Sequence, residues 1–241
     1  MTYEEMIEDE TFIDGMQTRV ISDQEMDTMY IPDVEYMNSD GIRRVLQILV
    51  PRKRVMENEK YPLIVYVQGS AWHKQNVFLF GDSSGGHVAL VSGLTAKLPL
   101  FNGNLYSEYS NEVRAIIDFY GVVDITMEDG FPTTENHQQP DSPEGYLIGR
   151  KNVLEHLDIA RQTNPMAYLD GNIPPILIAH GTKDRLVAFK QSVKLYKALK
   201  DKNKDVVFYR MKGADHGGPM FFCEDMLEEV IKFIKKNISN A

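Results

Sequence analysis

The chain has 241 residues, a formal net charge of −9, 43% hydrophobic and 25% charged residues, and a single cysteine, Cys223. Its length suits one domain with a large core. The acidic balance argues against a nucleic-acid or anionic-membrane partner, since both reward basic patches. One cysteine excludes an internal disulfide and fits a reducing compartment. No apolar run approaches the ~20 residues of a membrane span, and the first residues lack the basic-then-apolar pattern of a secretory leader, so the expectation is a cytoplasmic protein.

Residues 1–28 are polar and acidic, with four glutamates and an aspartate before Thr11. They read as a solvated arm or a short helix over the sheet, followed by a catalytic domain at 29–241. Glu35-Tyr36-Met37 and the run Arg44 to Val50 read as two strands joined through Asn38-Ser39-Asp40-Gly41 as a hairpin. Leu63 to Val67 is a continuous, mainly β-branched run, the mark of a strand buried on both faces. Val77 to Phe80, Val113 to Tyr120, Pro175 to Ala179 and Val206 to Tyr209 are similar runs. Between them lie helical patterns: His87 to Lys97, then Phe189, Val193, Tyr196 and Leu199, then Met226, Val230, Phe233 and Ile234. Strands alternating with amphipathic helices predict an α/β fold, a mostly parallel sheet with helices on both faces. Residues 124–172 interrupt the rhythm. They are rich in Pro, Gly, Asn and Gln, with one helix expected over Arg150 to Arg161, and read as a cap-like insertion above the C-terminal strand ends.

Gly81-Asp82-Ser83-Ser84-Gly85 matches G-x-S-x-G between a strand run and a helical segment, the setting of a nucleophile elbow. The serine of such an elbow sits at a strained backbone position, and neighbouring Cβ atoms would collide with the flanking elements. Other uses of the pattern are a phosphate-binding or ordinary strand-to-helix turn. Ser84 is the nearest competitor of Ser83, but the register of the glycines favours Ser83.

A serine hydroxyl needs a base, and the base needs an orienting group. His216, in Gly213-Ala214-Asp215-His216-Gly217-Gly218, follows the last strand run, where the order Ser, Asp, His expects it. His180 ends a strand but precedes the candidate acid. His87 is expected to pack on the elbow helix, and His73, His137 and His156 to lie on the surface. Asp184, in His180-Gly181-Thr182-Lys183-Asp184, is the first candidate acid. Asp215 ranks second, because its neighbour in sequence is the base itself. Cys223, in an apolar run, reads as a small core residue.

The strand Leu63 to Val67 runs into Gln68-Gly69-Ser70-Ala71-Trp72, whose small residues let backbone N–H groups approach a substrate oxygen. The second donor is the N–H of Ser84. Together with Asp118-Phe119-Tyr120-Gly121-Val122-Val123-Asp124, these segments resemble the esterase/lipase branch of the α/β-hydrolases: acetyl esterases, hormone-sensitive-lipase-like carboxylesterases and plant-cell-wall acetyl or feruloyl esterases. The resemblance covers residues 30–237. It implies a triad of Ser83, Asp184 and His216, oxyanion donors at Ser70 and Ser84 with Gly69 as a third, and no metal or cofactor. The family's His-Gly-Gly-Gly is Gln-Gly-Ser-Ala here. Trp72 and Tyr120 are candidates for the substrate pocket, with Trp72 equally suited to the core.

Only His73-Lys74-Gln75-Asn76 separate Trp72 from the run at Val77, whereas a parallel crossover takes about a dozen residues. The helix–strand–helix unit that the family places here does not fit in this length: it is deleted, or the sequence omits residues that the protein possesses, or the strand Leu63 to Val67 is placed differently, for example swapped into a second chain. The exposed sheet edge a deletion would leave suggests a homo-oligomer or domain-swapped dimer. The expected function is a serine carboxylesterase acting on short-chain acyl esters, acetyl or hydroxycinnamoyl, on sugars or polysaccharides. A peptidase or thioesterase would use the same triad. The alternative from another class is a catalytically impaired scaffold that binds or oligomerises.

Overall fold

Strand propensity and two-sided apolarity shape the sheet. The computed structural model describes residues 6–20, 28–39, 42–51, 77–101, 111–127 and 136–238. These fall into two units, residues 1–22 with 74–241 and residues 23–73.

In the larger unit, β1 (Gln17–Arg19), β4 (Phe78–Asp82), β5 (Ala115–Phe119), β6 (Ile176–Gly181) and β7 (Val206–Met211) form one sheet in the order β1-β7-β6-β5-β4. Every pairing in it is parallel. The runs read as doubly buried strands behave as such. In β5 and β6, Ile116, Ile176 and Ile178 enter one core, while Ile117, Leu177 and Ala179 enter the other. This is the period-two alternation of a strand with both faces covered. On the first face lie α1 (Ser84–Thr95), through Leu90 and Leu94, and α4 (Lys190–Asp201), through Leu195, Tyr196 and Leu199. On the second lies α5 (Glu224–Asn237), which buries Met226, Val230 and Phe233 at helical spacing. Among the described strands β4 forms one edge, where Phe80 and, on α1, Val88 are exposed.

Because the strands are parallel, the segments leaving their C-terminal ends gather at one end of the sheet. Ser83 follows β4, Tyr120 follows β5, Asp184 lies three residues past β6, and His216 five past β7.

The N-terminal segment differs from the expected arm or helix. β1 adds a parallel edge strand to β7, with Gln17 opposite Tyr209. Glu8 and Glu10 are partnered: Glu8 Oε1 accepts from the Thr182 hydroxyl at 2.7 Å. The Arg210 guanidinium donates to the Asp9 carbonyl and to Glu10 Oε2 at 3.1 and 3.2 Å. A buried arginine one strand in from the edge thus gives the acidic segment a reason to fold down.

The insertion also differs. In place of one helix over Arg150 to Arg161 there are two short ones, α2 (Pro143–Leu147) and α3 (Leu157–Gln162). The backbone turns left-handed at Gly149 and Arg150, with φ 83° and 60°, which a right-handed helix cannot accommodate. The Asn152 side chain then accepts from the N–H groups of Leu154 and Glu155, making a turn that delays the helix to Leu157. Ile125, Ile148, Val153, Ala160 and Val187 close a small core of their own here.

In the smaller unit, β2 (Thr28–Ser39) and β3 (Ile42–Pro51) pair antiparallel with Ser39 opposite Ile42. This is the expected hairpin, with longer strands. Register shifts fall between Ile31 and Val34 and between Glu35 and Met37. Pro32, which has no N–H for the ladder, sits in the first of these irregularities. The strand expected at Leu63 to Val67 and the short connection His73 to Asn76 lie outside the described residues. No helix among the described residues is long and apolar enough to cross a membrane.

Candidate active site

Ser83 caps α1 with φ 52° and ψ −124°, a left-handed conformation rarely taken by a residue with a side chain. Its N–H donates to the Phe119 carbonyl at 2.9 Å, and its carbonyl accepts from the His87 N–H at 3.2 Å. The turn is tight enough that a Cβ on Gly81 would overlap the backbone carbonyl of Gly85. Gly85 itself has room: a Cβ there would meet only Asp82 Oδ1, at 3.9 Å. The crowding expected for both motif glycines therefore belongs to Gly81, and to Gly86, whose Cβ would strike the Asp118 carboxylate.

The Ser83 hydroxyl faces His216, with Oγ 2.9 Å from Nε2. The other ring nitrogen, Nδ1, lies 2.8 Å from Asp184 Oδ2. An ionised carboxylate only accepts, so Nδ1 carries the hydrogen and Nε2 is the acceptor for the serine O–H. Asp184 is fully buried. Its Oδ1 accepts from the N–H groups of Leu186 and Val187 at 2.9 and 2.8 Å. Its Oδ2 also takes a second ring nitrogen, His180 Nε2, at 3.1 Å. Burial alone would raise this carboxyl, but hydrogen bonds from His180 and His216 outweigh it and hold Asp184 down at about 2.

Asp215, the second-ranked acid, is engaged elsewhere. Its carboxylate accepts from the Arg185 guanidinium at 2.6 and 2.7 Å, and from the N–H groups of Arg185 and His216 at 3.1 and 2.8 Å. It shapes the loop and leaves the imidazole to Asp184.

Tyr120, a candidate for the substrate pocket, is buried beside the base. It is 2% exposed; its ring stands edge-on to His216 and to Phe221, with centroids 4.8 and 4.4 Å away. Its hydroxyl donates to Asp82 Oδ2 at 3.2 Å. Burial, reinforced by the Asp82 charge, pushes this phenol well above its ordinary range. Its ring packs against Phe221 and His216, behind the base.

Ser84 opens α1 and is exposed. Its N–H is among the first four of the helix and has no intrahelical acceptor, so it is available to an oxyanion. The other expected donors, Gly69 and Ser70, and the pocket candidate Trp72 lie outside the described residues. His87 is buried on α1, as expected, with Nδ1 2.9 Å from the Val122 carbonyl; burial pushes its imidazole below the ordinary value. His137 departs from its surface expectation: it is 7% exposed and lies 2.8 Å from Glu144 Oε1, within the folded insertion. His156 is part-buried, with Nδ1 3.1 Å from the Asn152 carbonyl. Cys223 is half-buried at the start of α5, its thiol directed at the Met220 carbonyl.

Three supports were missed in the sequence. His180 contacts Asp184, as described. Asp118 is fully buried beneath the elbow, with Oδ1 accepting from the Gly121 N–H at 3.0 Å. Gln191 on α4 clamps the loop after β5: its Oε1 accepts from the N–H groups of Val123 and Asp124, and its Nε2 donates to the Asp124 carbonyl. The signal for the first two was a polar residue inside an otherwise apolar, doubly buried strand run. Among the described residues no group of three or more His, Cys, Asp or Glu is placed to hold a metal ion.

The family model BD-FAE matches residues 73–199, more than half of the chain. Esterase LipC of Mycobacterium tuberculosis is 28% identical over 177 residues, 68% of this chain and 43% of that protein. Esterase LipQ of the same organism is 26% identical over 150 residues, 58% of this chain and 34% of that protein. The chain thus spans less than half the length of these relatives. Among solved structures, a truncated carbohydrate esterase from gut microbiota is 28% identical with a TM-score of 0.57, covering 66% of this chain and 58% of that one. A bifunctional GH43-CE protein of Bacteroides eggerthii is 30% identical with the same TM-score, covering 66% of this chain and 23% of that one. A parallel sheet with helices on both faces, the strand–Ser83–helix turn and the family match lead to one assignment: the chain belongs to the BD-FAE family of α/β-hydrolase esterases.

Proposed function

We propose that this protein is a serine carboxylesterase in which Ser83 is the nucleophile, His216 the general base and acid, and Asp184 the residue that orients His216. The observation carrying this reading is the continuous path Ser83 Oγ, His216, Asp184, with contacts of 2.9 and 2.8 Å. Ser83 Oγ attacks the ester carbonyl while its proton passes to His216 Nε2. The new oxyanion is held by the Ser84 N–H, at the positive end of α1. His216 returns the proton to the leaving alkoxide, giving the alcohol and an acyl-Ser83 ester. Water, deprotonated by the same imidazole, then releases the acid and regenerates the serine.

The proposed substrates are short-chain acyl esters, acetyl or hydroxycinnamoyl, carried on sugars or polysaccharides. Two structural relatives described as a carbohydrate esterase and as a bifunctional GH43-CE protein support that choice. The test is hydrolysis of p-nitrophenyl acetate, p-nitrophenyl butyrate, methyl ferulate and acetylated xylo-oligosaccharide by the protein and by Ser83→Ala. Turnover of the acetyl or feruloyl esters by the parent alone is expected; equal rates for both proteins would sink the reading.

A further inference from the structure

The fully buried His180 has no part in the steps above, yet it touches their acid. Its Nε2 lies 3.1 Å from Asp184 Oδ2, the oxygen that also binds His216, and 2.8 Å from the Val187 carbonyl. Its Nδ1 lies 2.7 Å from Ser192 Oγ on α4, and its ring stands edge-on to Phe189 at 5.8 Å between centroids. Two acceptors face Nε2, so Nε2 carries the hydrogen, and Nδ1 accepts from the Ser192 hydroxyl. With His180 in place, Asp184 receives four donors: Leu186 and Val187 on Oδ1, His216 and His180 on Oδ2. A carboxylate offers about four lone-pair sites. At a fully buried position no solvent can replace a lost donor.

We infer that His180 is a positioning residue for the proposed reaction: as a second imidazole donor on Asp184 Oδ2, braced by Ser192, it fixes the oxygen that orients His216. This rests on the serine esterase reading. Two consequences follow from the shared oxygen. The Asp184 carboxylate cannot swing away from His216 without breaking the His180 bond. The second N–H also draws electron density from Oδ2, so the proton of the transient imidazolium stays on His216 Nδ1. The charged and titratable groups around the pair are Asp118 on β5, whose carboxyl lies in the field of His180, Tyr120 near Asp184, and Arg210, register neighbour of His180 on β7. The Arg210 guanidinium turns to Glu8 and Glu10.

The test uses the full chain, p-nitrophenyl acetate, and the variants His180→Leu, His180→Gln and Ser192→Ala. His180→Leu should lower kcat roughly tenfold to a hundredfold, leave KM within about twofold, and move the acidic limb of kcat/KM to higher pH. The limb moves because Oδ2, freed of one donor, holds the His216 imidazolium more strongly. His180→Gln, whose amide N–H can reach the same oxygen, should recover most of the rate and the original limb. Ser192→Ala releases the ring without touching Asp184 and should shift the limb the same way by less. Wild-type kcat and limb in His180→Leu would overturn the inference. So would a rate loss with no limb shift that His180→Gln does not relieve, since that marks packing alone. If His180→Leu does not fold, an unmoved limb in Ser192→Ala overturns it. If the parent chain itself is inactive, the esterase reading fails separately. Long-range ¹⁵N spectra of the imidazoles then still decide whether His180 is the Nε2–H tautomer, and an Nδ1–H tautomer contradicts the arrangement.

Discussion

The ring of Tyr120 meets the imidazole of His216 edge-on at 4.8 Å, while its hydroxyl reaches back to Asp82, the residue before Ser83. One side chain thus braces both the base and the strand end that carries the nucleophile. Tyr120→Phe keeps the ring and should retain kcat within about threefold, at a stability cost of about 1 kcal/mol for the lost hydrogen bond. Tyr120→Ala removes the support and should lower kcat at least tenfold by the measure of a displaced catalytic group. It should also destabilise the fold by about 3–5 kcal/mol, as buried aromatic truncations do. Initial rates and urea unfolding of the two variants check this.

The elbow glycines are not equivalent. Gly81→Ala forces a Cβ into the Gly85 carbonyl, a backbone atom that cannot turn aside, and should cost about 3 kcal/mol or more. Gly85→Ala meets only Asp82 Oδ1 at 3.9 Å and sits in a helix, where alanine is favoured over glycine by up to about 1 kcal/mol. It should fold at least as well as the parent. Thermal unfolding of the pair separates them.

This contrast illustrates what the sequence discloses and what it withholds. Runs such as Val113 to Tyr120 and Pro175 to Ala179 were legible because two-sided burial demands consecutive apolar residues, and the order Ser83, Asp184, His216 was legible because each follows such a run. Gln17–Arg19 was not. Three polar residues become a strand only because the β7 edge is there to pair with them. The Arg150 to Arg161 segment carries helical residues, yet the left-handed turn at Gly149 and Arg150 and the Asn152 turn override local propensity. The role of Tyr120 depends on contacts to Asp82 and His216 at the ends of other strands, which spacing along the chain does not encode, whereas those of His180 and Asp118 turn on burial and side-chain direction within a short stretch of chain.

Asp118 gives the fold a pH dependence. Burial raises its carboxyl to about 7, against an ordinary 3.8. Between those values the unfolded chain has released a proton that the folded chain retains, so Asp118 makes stability fall as pH rises through the window. Above about 7 the whole contribution, on the order of a few kcal/mol, is lost. Asp118→Asn cannot titrate and should show a flatter dependence. Urea midpoints of both proteins from pH 4.5 to 7.5 test the sign, and parallel curves would contradict it.

The two aspartates near His216 should separate cleanly. Asp184→Asn leaves a neutral amide where the imidazole N–H needs an acceptor charge, and a loss of about 10⁴ in kcat is expected. Asp215→Asn weakens only the contact to Arg185 and should cost less than about tenfold, because a partly exposed ion pair contributes little. A larger loss for Asp215→Asn would reverse the assignment.

The central claim is that Ser83, activated by His216, is the nucleophile. Intact-protein mass spectrometry after exposure to a fluorophosphonate measures this directly. One adduct is predicted, located by peptide mapping at Ser83, absent in Ser83→Ala and strongly slowed in His216→Ala. An unlabelled folded protein, or an adduct at Ser84 or another residue, would contradict the account.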